Sequence, residues 1–278
     1  MKTTGPLRAG VMGWPIEHSR SPLLHGYWLE KHHIPGRYDR VSSSPEAFAA
    51  DLRRLAAEGW RGVNVTIPHK EAALGLADEV TPRARAIGAA NTIVFDDDGR
   101  ILADNTDAFG FSENLKAEAG SAWRRDEPAM VLGAGGAARA VIHALLDAGA
   151  PEVILANRTR SRAETVAGNF SGGVRVVDWR DAGAALSGAS LIVNTTSAGM
   201  AGRPPLDLDL SGAMKTAVAT DIVYTPLMTP FLADAAARGL KTVDGLGMLL
   251  HQARPGFAAW FGVEPEVDAG LRAFMLAA

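Results

Sequence analysis

The chain has 278 residues, enough for one large domain or two of modest size, and its formal net charge is −3. No stretch concentrates Lys and Arg with interleaved aromatic residues, which argues against a nucleic-acid partner. The absence of cysteine excludes disulfides, thiolate metal sites and thiol nucleophiles. The seven histidines lack metal-ligand spacing, the start of the chain lacks an apolar signal core, and no apolar run reaches membrane-spanning length. We therefore expect a cytoplasmic protein without a metal or a membrane anchor.

The first hundred residues predict alternating strands and helices, and the last two strands form a hairpin over an Asp-Gly turn. We expect strands at 8–12, 38–41, 62–66, 91–95 and 100–103, and helices at 22–32, 45–58 and 68–77. Leu23 and Ile67 are expected to face the core. Ser21 and Thr66 are expected to cap the helices that follow them.

The second half predicts a connecting helix at 107–119, a polar linker at 120–128 and then a Rossmann-like alternation. Its strands are expected near Val131, Val153, Val174, Leu191, Ala219 and Thr242, with a helical stretch between most of them. The end of the chain, from Met248 on, is expected to be helical. The fold class is therefore α/β with two domains and an interdomain cleft, where ligand sites are common.

The run Gly133-Ala134-Gly135-Gly136-Ala137 connects an apolar strand to an amphipathic helix whose polar face is expected to carry Arg139. Backbone N–H groups can approach a pyrophosphate where no Cβ intervenes, and the helix dipole favours the anion. A second strand at 152–156 completes a βαβ unit. This arrangement predicts a dinucleotide site, although an ordinary α/β turn remains an alternative.

The residues at the end of that second strand bear on which dinucleotide binds. A carboxylate there would repel a 2′-phosphate, but the chain has Asn157, Arg158 and Thr159, with Arg162 one helical turn on. Two guanidinium groups and a hydroxyl suit a phosphate dianion, so NADP is predicted over NAD. The alternative is that both arginines are only solvated.

Polar residues in the first half form a second group of candidates. Ser19 and Ser21 lie beside a predicted helix N-terminus, where they could hold a small carboxylate or serve only as caps. Lys70 lies in the first turn of a predicted helix, where a cation opposes the dipole. Such a place favours a lysine that exchanges protons, although a solvated surface lysine is the alternative. Asp107 opens the connecting helix and could pair with Lys70, or could be only a favourable N-terminal acid.

The remaining candidates follow strands of the Rossmann-like half, where such a fold contacts its cofactor. They are Thr195, Ser197, Met200, Ile222, Tyr224, Gly245 and Met248. For the two methionines, core packing is the alternative.

Taken together, these stretches resemble the shikimate dehydrogenase family. The matching segments, in the family's order, are His18-Ser-Arg-Ser-Pro22, Asn64-Val-Thr-Ile-Pro-His-Lys-Glu71, Ala89-Ala-Asn-Thr92, Asn105-Thr-Asp107, Gly133-Ala-Gly-Gly136, Asn157-Arg-Thr159, Asn194-Thr-Thr-Ser197 and Met248-Leu-Leu-His-Gln-Ala253. The resemblance implies a substrate-binding, catalytic domain of residues 1–106 plus 246–278 and an NADP-binding domain of residues 107–245. It also implies reversible reduction of 3-dehydroshikimate to shikimate by NADPH, a step toward the aromatic amino acids.

The resemblance further assigns Ser19 and Ser21 to the substrate carboxylate, and Lys70 with Asp107 to proton transfer. Ring hydroxyls would be bound by Asn64, Thr66, Asn91, Asp107 and Gln252, and Tyr224 and Gly245 would lie near the substrate and nicotinamide. Ala108 and Gly26 depart from the family pattern, which often has glycine and asparagine there. The alternatives are a quinate/shikimate dehydrogenase and a non-catalytic NADP-binding sensor. Whether the protein is a monomer or a homodimer stays open.

Overall fold

The computed structural model describes residues 5–278, in two compact units. The first unit comprises the described residues up to Thr106 with Leu250–Ala278, and the second comprises Asp107–Leu249. Residues 1–4, part of the segment in which no signal core was predicted, lie outside the described residues. Within the described range, no helix has the length and hydropathy needed to cross a bilayer.

The first unit begins with alternating strands and helices that end in a hairpin. Its elements up to Asp104 are β1 Leu7–Gly13, α1 Ser21–Lys31, β2 Gly36–Ser42, α2 Phe48–Ala57, β3 Gly62–Val65, α3 Lys70–Leu76, β4 Glu79–Val80, α4 Pro82–Ile87, β5 Thr92–Phe95 and β6 Ile101–Asp104. The six strands form one mixed sheet in the order β2-β1-β3-β5-β6-β4. The strands β1, β2 and β3 run parallel, and β5 is antiparallel to both β3 and β6.

The second unit is an all-parallel sheet with helices between its strands. Its main elements are α5 Asp107–Glu118, β7 Ala129–Leu132, α6 Gly136–Asp147, β8 Val153–Ala156, α7 Arg160–Ala167, β9 Val174–Val177, α8 Ala182–Ala185, β10 Leu191–Asn194, β11 Val218–Asp221, α9 Pro230–Ala237 and β12 Lys241–Val243. The strand order is β12-β11-β10-β7-β8-β9. Four central strands, β7, β8, β10 and β11, are buried along their whole length, as parallel strands covered on both faces require.

Two C-terminal helices complete the chain: α10 Leu246–Phe261 and α11 Ala269–Ala277. Within the first unit, Phe257 and Trp260 of α10 are buried, and the Trp260 indole N–H donates to the Ile93 carbonyl at 3.0 Å. The Trp28 indole of α1 likewise donates to the Glu266 carbonyl at 3.1 Å. The C-terminal residues therefore supply part of the core of the unit that the N-terminal residues begin.

Several local predictions were wrong. The pair β4 and α4 was not predicted, and α2 and α3 begin two to three residues later than expected. Leu23 and Ile67 are 38% and 67% exposed, because α1 buries a different face and β3 ends at Val65, before the alternation reaches Ile67. Arg139, predicted for the polar face of α6, is only 8% exposed.

The two predicted serine and threonine caps were also wrong. The N-cap of α1 is Arg20, so Ser21 is the first helical residue. The N-cap of α3 is His69, and no side chain caps that helix. The Thr66 amide instead donates to the Met12 carbonyl at 2.9 Å, and the Thr66 carbonyl accepts from the His69 amide at 2.9 Å.

Gly62 provides a test of how the C-terminal helix packs in the first unit. Its φ is +154°, and an added Cβ would lie 2.0 Å from the Ile93 carbonyl oxygen and 2.2 Å from the Trp260 indole nitrogen. We expect Gly62→Ala to lower the free energy of unfolding by about 3 kcal/mol, because backbone must move to admit the methyl group. Urea unfolding measures the change.

Gly26→Ala is the matched control, since Gly26 lies inside α1 with open space where its Cβ would be. It should raise the free energy of unfolding by roughly 0.5–1 kcal/mol. Equal effects of the two substitutions would contradict the close packing at Gly62.

Candidate active site

The glycine turn lies where β7 passes into α6. Gly133 has φ +109°, and an added Cβ would meet the Thr195 hydroxyl at 2.7 Å, so only glycine fits. Gly135 is the N-cap of α6, is exposed, and has open space where a Cβ would stand. The N-terminus of a twelve-residue helix is therefore uncovered by side chains, as a site for a pyrophosphate requires.

The end of β8 carries the basic residues that suit a 2′-phosphate. The Asn157 side-chain amide donates to the Thr159 carbonyl at 2.8 Å and shapes the turn before α7. Arg158, Thr159 and Arg162 are all exposed. Arg160, by contrast, is engaged within the protein by Glu164 at 2.8 Å and Asp178 at 3.0 Å. The residues present thus fit a nucleotide with a phosphate on its ribose.

Two loops follow the strands beside the glycine turn, and we name them by their strands. The β10 loop (195–200) is held to β7, because the Thr195 amide and hydroxyl both donate to the Leu132 carbonyl, at 2.8 and 2.7 Å. Ser197 and Met200 of this loop are exposed.

The β11 loop (222–229) contains Ile222 and Tyr224, both half-buried. Gly245 packs against it so closely that a Cβ there would lie 2.6 Å from the Ile222 carbonyl. Met248 is 8% exposed, consistent with the packing alternative. The predicted cofactor residues of the second unit therefore occupy the carboxyl ends of adjacent strands.

A buried polar network occupies the carboxyl end of β3 in the first unit. The Tyr38 hydroxyl donates to Asn64 Oδ1 at 2.6 Å, and Asn64 Nδ2 donates to the Asn91 carbonyl at 3.1 Å and the Thr92 hydroxyl at 3.2 Å. Because an Nδ2 can only donate to a carbonyl, the orientation of the Asn64 amide is fixed.

Asn91 extends this network toward the C-terminal helix. Its Nδ2 donates to Gln252 Oε1 at 3.1 Å and to the Thr106 hydroxyl at 3.1 Å, while its Oδ1 accepts from the Thr106 amide at 2.7 Å. The structure therefore brings together Asn64, Asn91 and Gln252, three of the predicted substrate residues.

Three other predicted residues of the first unit, Ser19, Ser21 and Lys70, lie at or just before the start of a helix. Ser21 is buried, and its amide donates to the Ser19 hydroxyl at 3.4 Å. The Arg40 guanidinium donates to the Ser19 carbonyl at 2.7 and 3.1 Å and holds that turn. Lys70 is the first residue of α3, half-buried, and its carbonyl accepts from the Ala90 amide at 2.8 Å.

Asp107 belongs to the second unit, where it opens α5 and is 6% exposed.

Sequence reasoning did not single out Tyr38 or His25, which lie next to Asn64. The two rings stack in parallel with centroids 3.8 Å apart, and burial lowers the pKa of His25 to about 3, so the imidazole is neutral. In the sequence of β2, Tyr38 stands between polar residues, which is typical of an aromatic residue that only packs in the core. Only the juxtaposition of β2 and β3 on either side of β1 reveals its contact with Asn64.

Comparison with known proteins shows which family the chain is similar to. Three family models match it: the shikimate dehydrogenase substrate binding domain over residues 11–93, shikimate / quinate 5-dehydrogenase over 117–201, and the shikimate 5'-dehydrogenase C-terminal domain over 245–273. The shikimate dehydrogenase (NADP(+)) of Paracoccus denitrificans is 56% identical over 97% of this chain and 95% of its own length.

Two solved structures superpose on nearly the whole chain. Shikimate 5-dehydrogenase from Thermus thermophilus, in complex with NADP(H) and shikimate, has a TM-score of 0.87 and 40% identity, covering 98% of this chain and 99% of its own. Quinate dehydrogenase from Corynebacterium glutamicum, in complex with NAD, has a TM-score of 0.91 and 30% identity, covering 99% and 100%.

An α/β fold of two units, one of them a parallel sheet whose glycine turn is open at Gly135, is typical of dinucleotide-dependent enzymes. The chain belongs to the shikimate dehydrogenase family. The predicted family, the two-domain α/β fold and the enzyme class are thereby confirmed, and NADP is confirmed as the cofactor at the level of the family.

Arg158 tests the recognition of the 2′-phosphate. We expect Arg158→Ala to raise the KM for NADPH by roughly 10- to 100-fold, the equivalent of a lost hydrogen bond to a charged group, and to leave the KM for NADH nearly unchanged. Initial rates with each nucleotide measure the difference. Arg160→Ala is the matched control, because Arg160 is engaged by Glu164 and Asp178. If Arg158→Ala raised the KM for NADPH and for NADH equally, the result would count against a contact between Arg158 and the 2′-phosphate.

Proposed function

We propose that the protein catalyses the reversible reduction of 3-dehydroshikimate to shikimate with NADPH. The observation that carries this proposal is the buried cluster of Asn64, Asn91 and Gln252. It lies in a chain that shikimate dehydrogenase models match over residues 11–93, 117–201 and 245–273. Carbonyl and amide groups in fixed orientations suit a substrate that presents several ring hydroxyls.

The substrate carboxylate would be bound by Ser19 and Ser21. Support comes from their position at the start of the eleven-residue helix α1, whose dipole favours an anion. The hydroxyl-binding set is proposed as Asn64, Thr66, Asn91, Asp107 and Gln252, with Tyr224 near the substrate.

Lys70 is the proposed general acid and base, with Asp107 as its partner. Bound NADPH supplies the hydride that adds to the carbonyl carbon. The ammonium of Lys70 gives its proton to the oxygen that becomes the hydroxyl, and in the reverse direction the neutral amine takes that proton back. Proton transfer of this kind contributes typically about 10²–10⁴-fold to a rate. A carboxylate beside the lysine would stabilise its protonated form and orient the donor.

The proposed division between substrate binding and NADP binding follows the two units except at residues 246–249, which belong to the second unit. We propose that residues 1–106 with 246–278 bind substrate and carry catalysis, and that residues 107–245 bind NADP. The glycine turn at 133–137, the basic residues at 157–162 and the loops after β10 and β11 support the second assignment.

Substitution of Lys70 tests the proposed chemistry. We expect Lys70→Ala to lower kcat by about 10²–10⁴-fold and to change the KM values much less, because the lost group acts on the transferring proton. Steady-state kinetics in both directions measure the change. Lys116→Ala is the control, since Lys116 is an exposed residue of α5 that pairs with Glu113. A near-normal kcat for Lys70→Ala would contradict the proposed role of Lys70 as general acid and base.

Initial rates of shikimate and quinate oxidation, each with NADP and with NAD, test the substrate itself. We expect shikimate with NADP to be the fastest combination. Faster quinate oxidation would favour the quinate/shikimate alternative. The structural similarity to the Corynebacterium quinate dehydrogenase supports testing that alternative. Absence of activity in all four combinations would favour a non-catalytic NADP-binding sensor.

A further inference from the structure

Asp221, the last residue of β11, is a buried carboxylate that the proposed chemistry does not use. It is 1% exposed and accepts hydrogen bonds from three separate places in the second unit. Asn194 Nδ2 lies 3.1 Å from each of its oxygens, the Val223 amide donates to Oδ1 at 2.9 Å, and the Thr229 hydroxyl donates to Oδ2 at 2.7 Å. One side chain thus joins the end of β10, the start of the β11 loop and the start of α9.

The bond to Asn194 controls the shape of the β10 loop. A carboxylate only accepts, so it forces the Asn194 nitrogen toward itself and the Asn194 oxygen away. That oxygen then accepts from the Thr196 amide at 3.0 Å and the Thr196 hydroxyl at 2.7 Å. The Ala198 amide in turn donates to the Thr196 hydroxyl at 3.1 Å. The backbone on either side of Ser197 is therefore set by the orientation of one amide.

The bond to Thr229 fixes the far end of the β11 loop. Thr229 is the N-cap of α9, and its hydroxyl accepts from the Leu232 amide while donating to Asp221. Gly199 of the β10 loop packs against the same residue: an added Cβ would lie 3.5 Å from the Thr229 Cβ. Directly after the β10 loop, the Ala201 amide donates to the Thr225 carbonyl of the β11 loop at 2.9 Å.

We propose that Asp221 is a positioning residue for NADP, acting through Asn194 and Thr229 to hold the β10 and β11 loops in the arrangement that receives the nicotinamide half of the cofactor. The proposal rests on the proposed function, because it takes these two loops as the cofactor loops. Asp221 acts through other residues and is not assigned a part in the chemistry.

Burial raises the pKa of the Asp221 carboxyl above its ordinary range, against the opposing effect of the three donors. Keeping this group ionised in the folded protein therefore opposes folding at neutral pH. An asparagine would avoid that penalty, but its amide nitrogen can only donate, so it could not accept from the Asn194 amide and the Thr229 hydroxyl as Oδ2 does. A carboxylate here is thus better explained by the arrangement of the loops than by stability.

The test compares direct NADPH binding with substrate kinetics in four variants. Asp221→Asn leaves the volume almost unchanged and removes the acceptor-only group. Thr229→Val removes the hydroxyl that donates to Asp221, whereas Thr229→Ser keeps it. Thr81→Val is the matched control: Thr81 is the N-cap of α4, precedes a proline as Thr229 does, and its hydroxyl donates to Asp104 at 2.7 Å, but it belongs to the first unit.

We expect Asp221→Asn and Thr229→Val to raise the NADPH dissociation constant by roughly 10-fold, as loss of a buried hydrogen bond to a charged group predicts. The KM for 3-dehydroshikimate should change little, and Thr229→Ser should restore binding. Thr81→Val should lower Tm without weakening NADPH binding. This result would separate the effect of losing a helix cap from the effect of losing the position of the loops.

A folded Thr229→Val variant with the NADPH affinity of the parent would overturn the proposal, as would equal weakening by Thr81→Val. The same comparison stands if Asp221→Asn fails to fold, because the two Thr229 variants do not depend on it. Failure of the proposed function gives a different result: the unsubstituted protein would bind NADPH but not reduce 3-dehydroshikimate.

Discussion

Buried asparagine side chains at the ends of strands set the geometry on which the rest of this structure depends. An amide in the protein interior has one stable orientation when its nitrogen faces a group that can only accept. Asn64 faces the Asn91 carbonyl, and Asn194 faces the Asp221 carboxylate. In both units the fixed amide lies at the carboxyl end of a parallel strand, where α/β folds bind ligands. The two candidate sites, one proposed for the substrate and one for the cofactor, therefore share the same constraint.

Glycine supplies the complementary constraint, because it lets backbone come close where a side chain cannot fit. Gly133 brings the glycine turn within reach of Thr195, and Gly245 brings the chain after β12 against Ile222. Both contacts join neighbouring strand ends in the second unit. Together with the hydrogen bonds of Asp221, these two glycine contacts restrict the conformations of the β10 and β11 loops. If these loops receive the cofactor as proposed, such contacts would order them before binding and so reduce the entropy lost on binding.

The sequence predicted the architecture well because the physical signals were local. Fully apolar runs marked β7, β8, β10 and β11. The glycine turn, together with the basic residues that follow β8, indicated the nucleotide. The segment at 79–87 was missed because β4 has only two residues and α4 six, too short for periodicity to show. Ile67 was misplaced for a related reason, since alternation says nothing about where a strand stops. Domain boundaries and the roles of individual site residues remain predictions.

Tyr38 and Asp221 show why the rest of the site could not be read from the sequence. Each makes its defining contact with a residue from another strand, Asn64 for Tyr38 and Asn194 for Asp221. At the sequence level one resembles a core aromatic and the other an acid at the end of a strand, where solvent would be expected. Only the strand order turns these positions into partners, because β2 and β3 flank β1 while β10 and β11 are neighbours.

The two residues also differ in what their burial implies. A tyrosine that donates one hydrogen bond stays neutral and adds apolar contact, so its burial is compatible with stability alone. A carboxylate whose pKa is raised by burial opposes folding above its unfolded pKa, and this penalty fades as the pH falls through the folded pKa. A group that opposes folding at neutral pH needs a reason other than packing. The orientation that Asp221 imposes on Asn194, and through it on the β10 loop, supplies that reason.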